Sequence, residues 1–163
     1  MKNQLLEILE KDSRIPTKDI AAMLGCSEEE VKKTIKKLEE EKIICGYPTL
    51  INWEKTNREG EFVTAMIEAK VAPQRERDFG KIAKRISNFD EVKTLSLMSG
   101  TFDLLIIVEG KNLRDISYFV STKLATLDCI LSTSTHFVLT KFKENGLILD
   151  EEKKYDERII VSP

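Results

Sequence analysis

The sequence predicts an α+β fold, with an N-terminal winged helix-turn-helix followed by a C-terminal ferredoxin-like βαββαβ domain. One observation behind this prediction is a pair of short amphipathic helices on either side of Gly25. Another is the order strand, helix, strand, strand, helix, strand that the apolar pattern indicates over residues 62–142. We divide the chain into residues 1–56 (helix-turn-helix with a strand connector), 57–145 (ferredoxin-like domain) and 146–163 (C-terminal extension).

The helix pair is delimited by capping residues. Thr17 follows Pro16 and is interpreted as the N-cap of the first helix. Gly25 can adopt the left-handed conformation that ends this helix. Ser27 and Glu30 have the S-x-x-E spacing of a capping box, which predicts the start of the second helix.

The flanking segments complete a three-helix head. Apolar residues within residues 5–9 indicate a preceding helix that packs on the other two. Ile43–Tyr47 predicts a short strand that leaves the second helix, and residues 50–53 predict an extended connector. Heads of this kind place their second helix in the major groove of DNA.

The second helix separates an apolar stripe from a basic face. Val31, Ile35 and Leu38 recur at spacings of four and three and therefore point inward. Four lysines lie mostly off this stripe, which is the reason for interpreting the outward side of the helix as a DNA-binding face. The alternative is a helical hairpin with a solvated lysine face, because the net charge of −2 does not favour nucleic-acid binding. The candidate contacts to DNA are Thr17, Lys18, Lys32, Lys33, Lys36 and Lys37.

The second domain is predicted element by element. Strands are expected at residues 62–71, 91–99 and 102–109 and within 129–142. Helices are expected at 75–87 and from Asn112, an N-cap, to about Leu124. Both helices lie on one face of an antiparallel sheet in this plan, so the other face needs a cover, and a second copy of the sheet would supply it. The inward residues of the two helices are Phe79, Ile82, Ala83 and Ile86, then Leu113, Ile116, Phe119, Val120 and Leu124.

Residues 143–163 have two interpretations. The segment is acidic in its middle and ends in an apolar run at Ile159–Val161. It is either a solvated tail or a source of one more strand at a sheet edge.

Composition narrows the class of protein. There is no apolar run of about 18 residues and no signal-peptide pattern, so we expect neither a membrane span nor export. Cys26, Cys45 and Cys129 form no CxxC pair, which favours reduced thiols in a cytoplasmic protein. With a single His and no cysteine cluster, we expect no metal, no cofactor and no catalytic residue.

The order of these parts resembles the Lrp/AsnC (feast/famine) family of bacterial and archaeal transcription regulators over residues 3–142. The segments that carry the resemblance are IAAMLGCSEEEVKKTIKKLEEEKIICGY, SGTFDLLIIVEG and STSTHFVLTKFK. The second segment matches the family's Gly-x-x-Asp element through Gly100 and Asp103. The segment after Lys143 is longer than is usual in the family.

The resemblance implies a regulator that binds double-stranded DNA and responds to a small effector, an amino acid. It also implies homodimers that assemble into tetramers or octamers, with effectors bound between the second domains. Backbone N–H groups near Gly100 would hold the effector's carboxylate and Asp103 its ammonium. The alternative is that Gly100 only turns a hairpin and Asp103 bonds the local backbone. The implied effector residues are Gly100, Thr101, Phe102 and Asp103, with Thr133 and Thr135 on the last strand.

One departure from the family leaves other functions open. Glu28–Glu30 stand where the family's recognition helix usually has residues able to approach DNA, which suits an assembly protein without DNA binding. The enzyme alternative is a sirohaem decarboxylase, since some of these share the same two-domain build. That chemistry typically uses His and Arg, and His136 is the only histidine of this chain.

Overall fold

The computed structural model describes residues 1–57, 62–72 and 76–149. The chain separates into two compact units, Met1–Ile51 and Asn52–Pro163. The division after residue 56 stays a prediction, and the strand predicted at Ile159–Val161 lies outside the described residues. Among the described residues, no helix is both long and apolar enough to cross a membrane.

The first unit is a three-helix head. Its core contains a buried residue from the first helix, Leu5, together with apolar side chains from both helices of the predicted pair. Val31 and Leu38 are buried and Ile35 packs beside them, which confirms the predicted inward stripe. The helices are α1 (Lys2–Lys11), α2 (Thr17–Leu24) and α3 (Glu28–Glu40).

The two turns of the head have left-handed residues. Gly25 has φ 65° and ψ 33° and ends α2, as predicted. Lys42 has φ 57° after α3, and the amides of Ile43 and Ile44 both donate to the carbonyl of Leu38, at 2.9 and 3.1 Å. Since these amides close the helix, they are not available to a strand ladder. The short strand predicted at Ile43–Tyr47 is therefore wrong: the described part of the first unit contains no strand.

The second unit has the predicted βαββαβ order. Its four-stranded sheet is antiparallel with the strand order β2-β3-β1-β4, so β3 is central as expected. A two-stranded hairpin follows, turned by Asn145 and Gly146, both with positive φ. The elements are β1 (Val63–Val71), α4 (Glu76–Ser87), β2 (Val92–Leu97), β3 (Leu104–Gly110), α5 (Leu113–Phe119), β4 (Ile130–Phe137), β5 (Lys143–Glu144) and β6 (Leu147–Ile148).

One face of the sheet forms the core with both helices. Alternate residues of β1 and β3 are buried there beside Ile86 of α4 and Phe119 of α5. Leu113 is 55% exposed, so the prediction that it points inward is wrong: it is the first residue of α5 and lies before the helix meets the sheet. The connector also differs, because Trp53–Lys55 forms a 3₁₀ turn instead of an extended segment.

The opposite face of the sheet contains half-buried apolar residues and a polar patch. Directly paired residues of antiparallel strands share a face, and the register pairs Met66 with Ile107 and with His136. Glu68 pairs with Leu105 and Ser134 on the same side. The buried residues that α4 and α5 pack against alternate with these and lie on the other face.

Candidate functional site

The start of α3 is fixed by a complete capping box. The Ser27 hydroxyl accepts the Glu30 amide at 3.2 Å, and Glu30 Oε2 accepts the Ser27 amide at 2.9 Å. The Ser27 amide and then the Ser27 hydroxyl donate to the Glu30 carboxylate, and these two hydrogen bonds hold the pKa of Glu30 below its ordinary value. The box was predicted from the sequence and is confirmed. It sets the residue at which α3 begins and turns the Glu30 side chain back toward α2.

Thr17 has a role that differs from the predicted one. The N-cap of α2 is Pro16, and Thr17 is the first helical residue. Its hydroxyl instead donates to Glu28 Oε1 at 2.8 Å, which joins the start of α2 to the start of α3. The N-cap prediction is therefore wrong, because the residue after a proline can itself begin the helix when the proline supplies a fixed extended φ.

Glu28, which the sequence led us to interpret as unfavourable next to DNA phosphates, makes two contacts inside the head. Its Oε1 is 2.7 Å from the ammonium of Lys32, one helical turn on, as well as accepting from Thr17. The hydrogen bond from Lys32 and then that from Thr17 lower the pKa of Glu28. The spacing of four between Glu28 and Lys32 was a readable signal for this pair. Its negative charge is thus already matched by a lysine.

The four lysines of α3 that were predicted to contact DNA are exposed, and three of them are in ion pairs with glutamates. Lys36 lies 3.9 Å from Glu40 and Lys37 lies 3.7 Å from Glu41. Lys33 is in no ion pair within the described part of the chain. Exposed pairs at this spacing contribute only a few tenths of a kcal/mol, about 0.3–0.5. Phosphate groups could therefore replace these partners at little cost. Lys18, at the start of α2, is also exposed.

The predicted effector turn lies between β2 and β3, at one end of the sheet. Asp103 ties this end together: its Oδ2 accepts the Val71 amide at 2.8 Å and its own amide donates to the Ala69 carbonyl at 3.0 Å. Its other oxygen has no hydrogen bond to any described residue. The aspartate thus has a structural role on β1, and its second carboxylate oxygen has no partner among the described residues.

The other three predicted effector residues of this turn lie directly before Asp103 in the chain. Thr101 is exposed, and Phe102 is half-buried beside Asp103. Gly100 does not have a left-handed φ, and a Cβ there would meet open space. Neither the φ angle nor the space at Gly100 therefore requires a glycine at this position.

Thr133 and Thr135 lie on β4, across the sheet. Thr133 is paired with Ala69 and Thr135 with Ile67, so both point to the face that carries the helices. Leu104, which follows the turn on β3, is paired with Ala69 on β1, and Ala69 is paired with Thr133 on β4. Thr133 therefore lies two strands from the effector turn, about 10 Å away. Thr135 lies two residues further from that end.

A cavity of about 390 Å³ lies at the opposite end of β3. It is lined by apolar residues of β3 and α5, such as Val108 and Phe119, and by charged residues that include Glu91, Lys111 and Arg114. None of the predicted effector residues lines it.

The only histidine is surrounded by groups that occur in hydrolytic sites, in an unsuitable geometry. His136 Nε2 is 3.2 Å from Ser134 Oγ and 3.6 Å from Glu68 Oε1. A nucleophile–base–carboxylate relay needs the two partners on different ring nitrogens, whereas here both contact the same one. His136 is also exposed rather than part of the core.

Family models match both units of the chain. A model of the AsnC-type helix-turn-helix domain matches residues 3–39. A model of the Lrp/AsnC ligand binding domain matches residues 64–148.

Individual proteins resemble the chain over nearly its whole length. It is 45% identical to the uncharacterised HTH-type transcriptional regulator YugG of Bacillus subtilis, over 99% of this chain and 96% of that protein. It is 31% identical to the HTH-type transcriptional regulator LrpA of Pyrococcus horikoshii, over 85% and 94%. The transcriptional regulator NMB0573 of Neisseria meningitidis, solved as an L-Met complex, has the same fold: TM-score 0.66 and 20% identity over 91% of this chain and 95% of that one.

Proposed function

Since the chain belongs to the Lrp/AsnC family of transcription regulators, we propose that it binds operator DNA through α3 and that an amino acid controls this binding. It is a transcription regulator with a helix-turn-helix unit and a ligand-binding unit. Beyond this, we propose which residues contact DNA and the effector, which class of effector binds, and how copies of the chain assemble.

Two features of α3 support DNA binding: its fixed starting residue, and exposed lysines whose glutamate partners phosphates can replace. The capping box and the Thr17–Glu28 bond fix where α3 begins and how it is joined to α2. Three of the four lysines are in exposed ion pairs, which phosphates can replace, and Lys33 needs no such exchange. Thr17 and Lys18 would lie near the sugar-phosphate backbone at the start of α2.

The effector is proposed to be a zwitterionic amino acid at the turn that precedes β3. The unused oxygen of Asp103 would accept its ammonium, and backbone N–H groups near Gly100 would donate to its carboxylate. Phe102 and Thr101 would contact the rest of the ligand. The L-Met complex of NMB0573, which has this fold, supports the choice of ligand class. Thr133 and Thr135 are weaker candidates, because they lie two strands away.

Assembly is proposed to start from the sheet face opposite the helices. Half-buried Met66, Leu105 and Ile107 on that face would pack against the same residues of a second copy. Dimers would associate further into tetramers or octamers. A ligand bound where two copies meet would then alter the spacing of the heads, which must reach successive major grooves about 34–36 Å apart.

Selection from a random pool of DNA duplexes tests the function directly. The full chain should enrich a related set of sequences with two half-sites, and a mixture of amino acids should change the amount of DNA retained. Recovery of unenriched DNA would refute sequence-specific binding. Enrichment without any response to amino acids would refute the effector part alone.

The alternatives are less well supported. A sirohaem decarboxylase would need groups for a tetrapyrrole, and the arrangement around His136 offers no catalytic relay. The purified protein should show no Soret band, and it should not retain a tetrapyrrole that is added and then separated from it by gel filtration. An assembly protein without DNA binding is favoured only by the acidic start of α3, where Glu28 is already paired with Lys32. We place the protein in the cytoplasm, where a bacterial or archaeal regulator meets its DNA.

A further inference from the structure

The three carboxylates at the start of α3 differ in what they contact. Glu28 is occupied by Thr17 and Lys32, and Glu30 by both the amide and the hydroxyl of Ser27. The carboxylate of Glu29 has no hydrogen bond and no ion pair in the part of the chain that the structure describes. It is also exposed. Glu29 is therefore the one acidic side chain of the first turn that is left for a partner outside the chain.

The position of Glu29 on the helix is that of a base-reading residue. It is the second residue of α3 and lies on the side away from buried Val31 and Leu38. Lys33, four residues on, is its neighbour on that outward side. In helix-turn-helix proteins the N-terminal residues of the second helix contact base edges, while residues further along and on the first helix contact phosphates.

The chemistry of a carboxylate restricts what it can meet there. A carboxylate is repelled by phosphates, so it is tolerated in the groove only opposite a hydrogen-bond donor. The major groove offers two such donors, cytosine N4 and adenine N6. Adenine has its N7 acceptor beside the donor, and this atom repels a carboxylate. Cytosine N4 is the better match.

We propose that Glu29 is a specificity-determining residue that accepts a hydrogen bond from a cytosine in each operator half-site. The inference rests on the proposed DNA-binding function and deepens it. The adjacent Lys33 ammonium would hold a nearby phosphate and reduce the repulsion that the carboxylate experiences.

The test is selection from a random duplex pool with the full-length parent, Glu29→Gln, Glu29→Ala and Glu40→Gln. Glu40→Gln is the matched control: it removes the same charge from α3, about 16 Å further along the axis. The parent should prefer cytosine at one position of each half-site. Glu29→Ala should lose that preference, and Glu29→Gln should shift it toward adenine, which pairs with an amide in two hydrogen bonds. Glu40→Gln should keep the parent's sequence and bind all DNA more tightly.

Competition binding gives the size of the effect. The parent should discriminate its selected site from a version with that cytosine replaced by at least about fivefold, the lower limit for one base contact. Glu29→Ala should bind the two sites within about twofold. If Glu29→Ala keeps the parent's preference at every position, the inference is wrong while the proposed function stands. If the parent itself enriches no sequence, both are wrong. Circular dichroism checks that each variant is folded, which the exposure of Glu29 leads us to expect.

Discussion

At the scale of single residues, Asp103 has a structural role beside the binding role that we propose for it. Its Oδ2 accepts the Val71 amide, and both atoms belong to the end of the sheet where the effector turn lies. A substitution of Asp103 by alanine therefore removes both the acceptor of the Val71 amide and the charge proposed to bind the effector. A substitution to asparagine separates them, because the amide oxygen can still accept from Val71 while the charge is removed.

The first prediction compares these two variants. Asp103→Asn should unfold with nearly the parent's free energy but lose the stabilisation that an amino-acid effector gives. Asp103→Ala should in addition lower the free energy of unfolding by about 1–2 kcal/mol, since it leaves the Val71 amide without its acceptor. Urea unfolding and a thermal-shift screen of the amino acids measure the two effects. An amino acid that stabilises the parent and Asp103→Asn equally would remove Asp103 from the effector site.

The second prediction concerns Lys33. Because Lys33 is in no ion pair among the described residues, Lys33→Ala would remove the proposed DNA contact without releasing a glutamate. Binding to all sequences should weaken, and the slope of log K against log salt should decrease by about one. Lys111→Ala, an exposed lysine of the second unit, is the matched control and should leave the slope unchanged. Equal slopes for parent and Lys33→Ala would show that this lysine is only solvated.

At the scale of elements, the capping box makes the start of α3 sensitive to pH. The pKa of Glu30 is lowered in the folded state, so the folded chain binds the proton less readily than the unfolded chain. Its stabilising contribution is present above the unfolded value of about 4.3 and is lost as the pH falls through the lower folded value. The carboxylate of Glu28, also with a lowered pKa, contributes in the same direction.

The third prediction follows from the lowered pKa of Glu30 in the folded state. Glu30→Gln should be less stable than the parent at pH 6, and the difference should shrink as the pH falls through the folded pKa of Glu30, which lies below its ordinary value. Glu29→Gln is the control: it removes a carboxylate from the same helical turn without breaking the capping box, so at pH 6 it should lose less stability than Glu30→Gln. Thermal unfolding followed by helical circular dichroism is the measurement. A Glu30→Gln difference that is constant with pH would contradict the role of the ionised carboxylate.

At the scale of the whole molecule, the sheet of the second unit has one apolar face on the helices and another that is half-exposed. Met66 and Ile107 are directly paired at the middle of that second face. Burial of such a surface is the ordinary driving force for association of two copies.

The fourth prediction is therefore an assembly prediction. Light scattering of the full chain at micromolar concentration should give a dimer or a larger species. Ile107→Asp should give a smaller species, because it places a charge in the proposed interface. Leu113→Asp, an equal change at an exposed position at the start of α5, should leave the dimer intact. A monomeric parent would refute assembly through this face.

The sequence by itself determined several features that depend on near neighbours, although it misplaced the N-cap of α2 by one residue. The capping box, the left-handed Gly25 and the inward stripe of α3 involve residues within a few positions of one another, and all are confirmed. The βαββαβ order is also confirmed, because the period of apolar residues distinguishes strands from helices.

Only the tertiary structure decided which distant groups share a hydrogen bond or a face. Thr17 meets Glu28 across 11 positions, and Val71 meets Asp103 across 32. A local pattern cannot specify such pairs, because they depend on how helices pack and on the register of strands. The register is also what put Thr133 on the helix side of the sheet. A polar side chain in sequence is only a candidate partner, and its role is set by the donor or acceptor that folding places beside it.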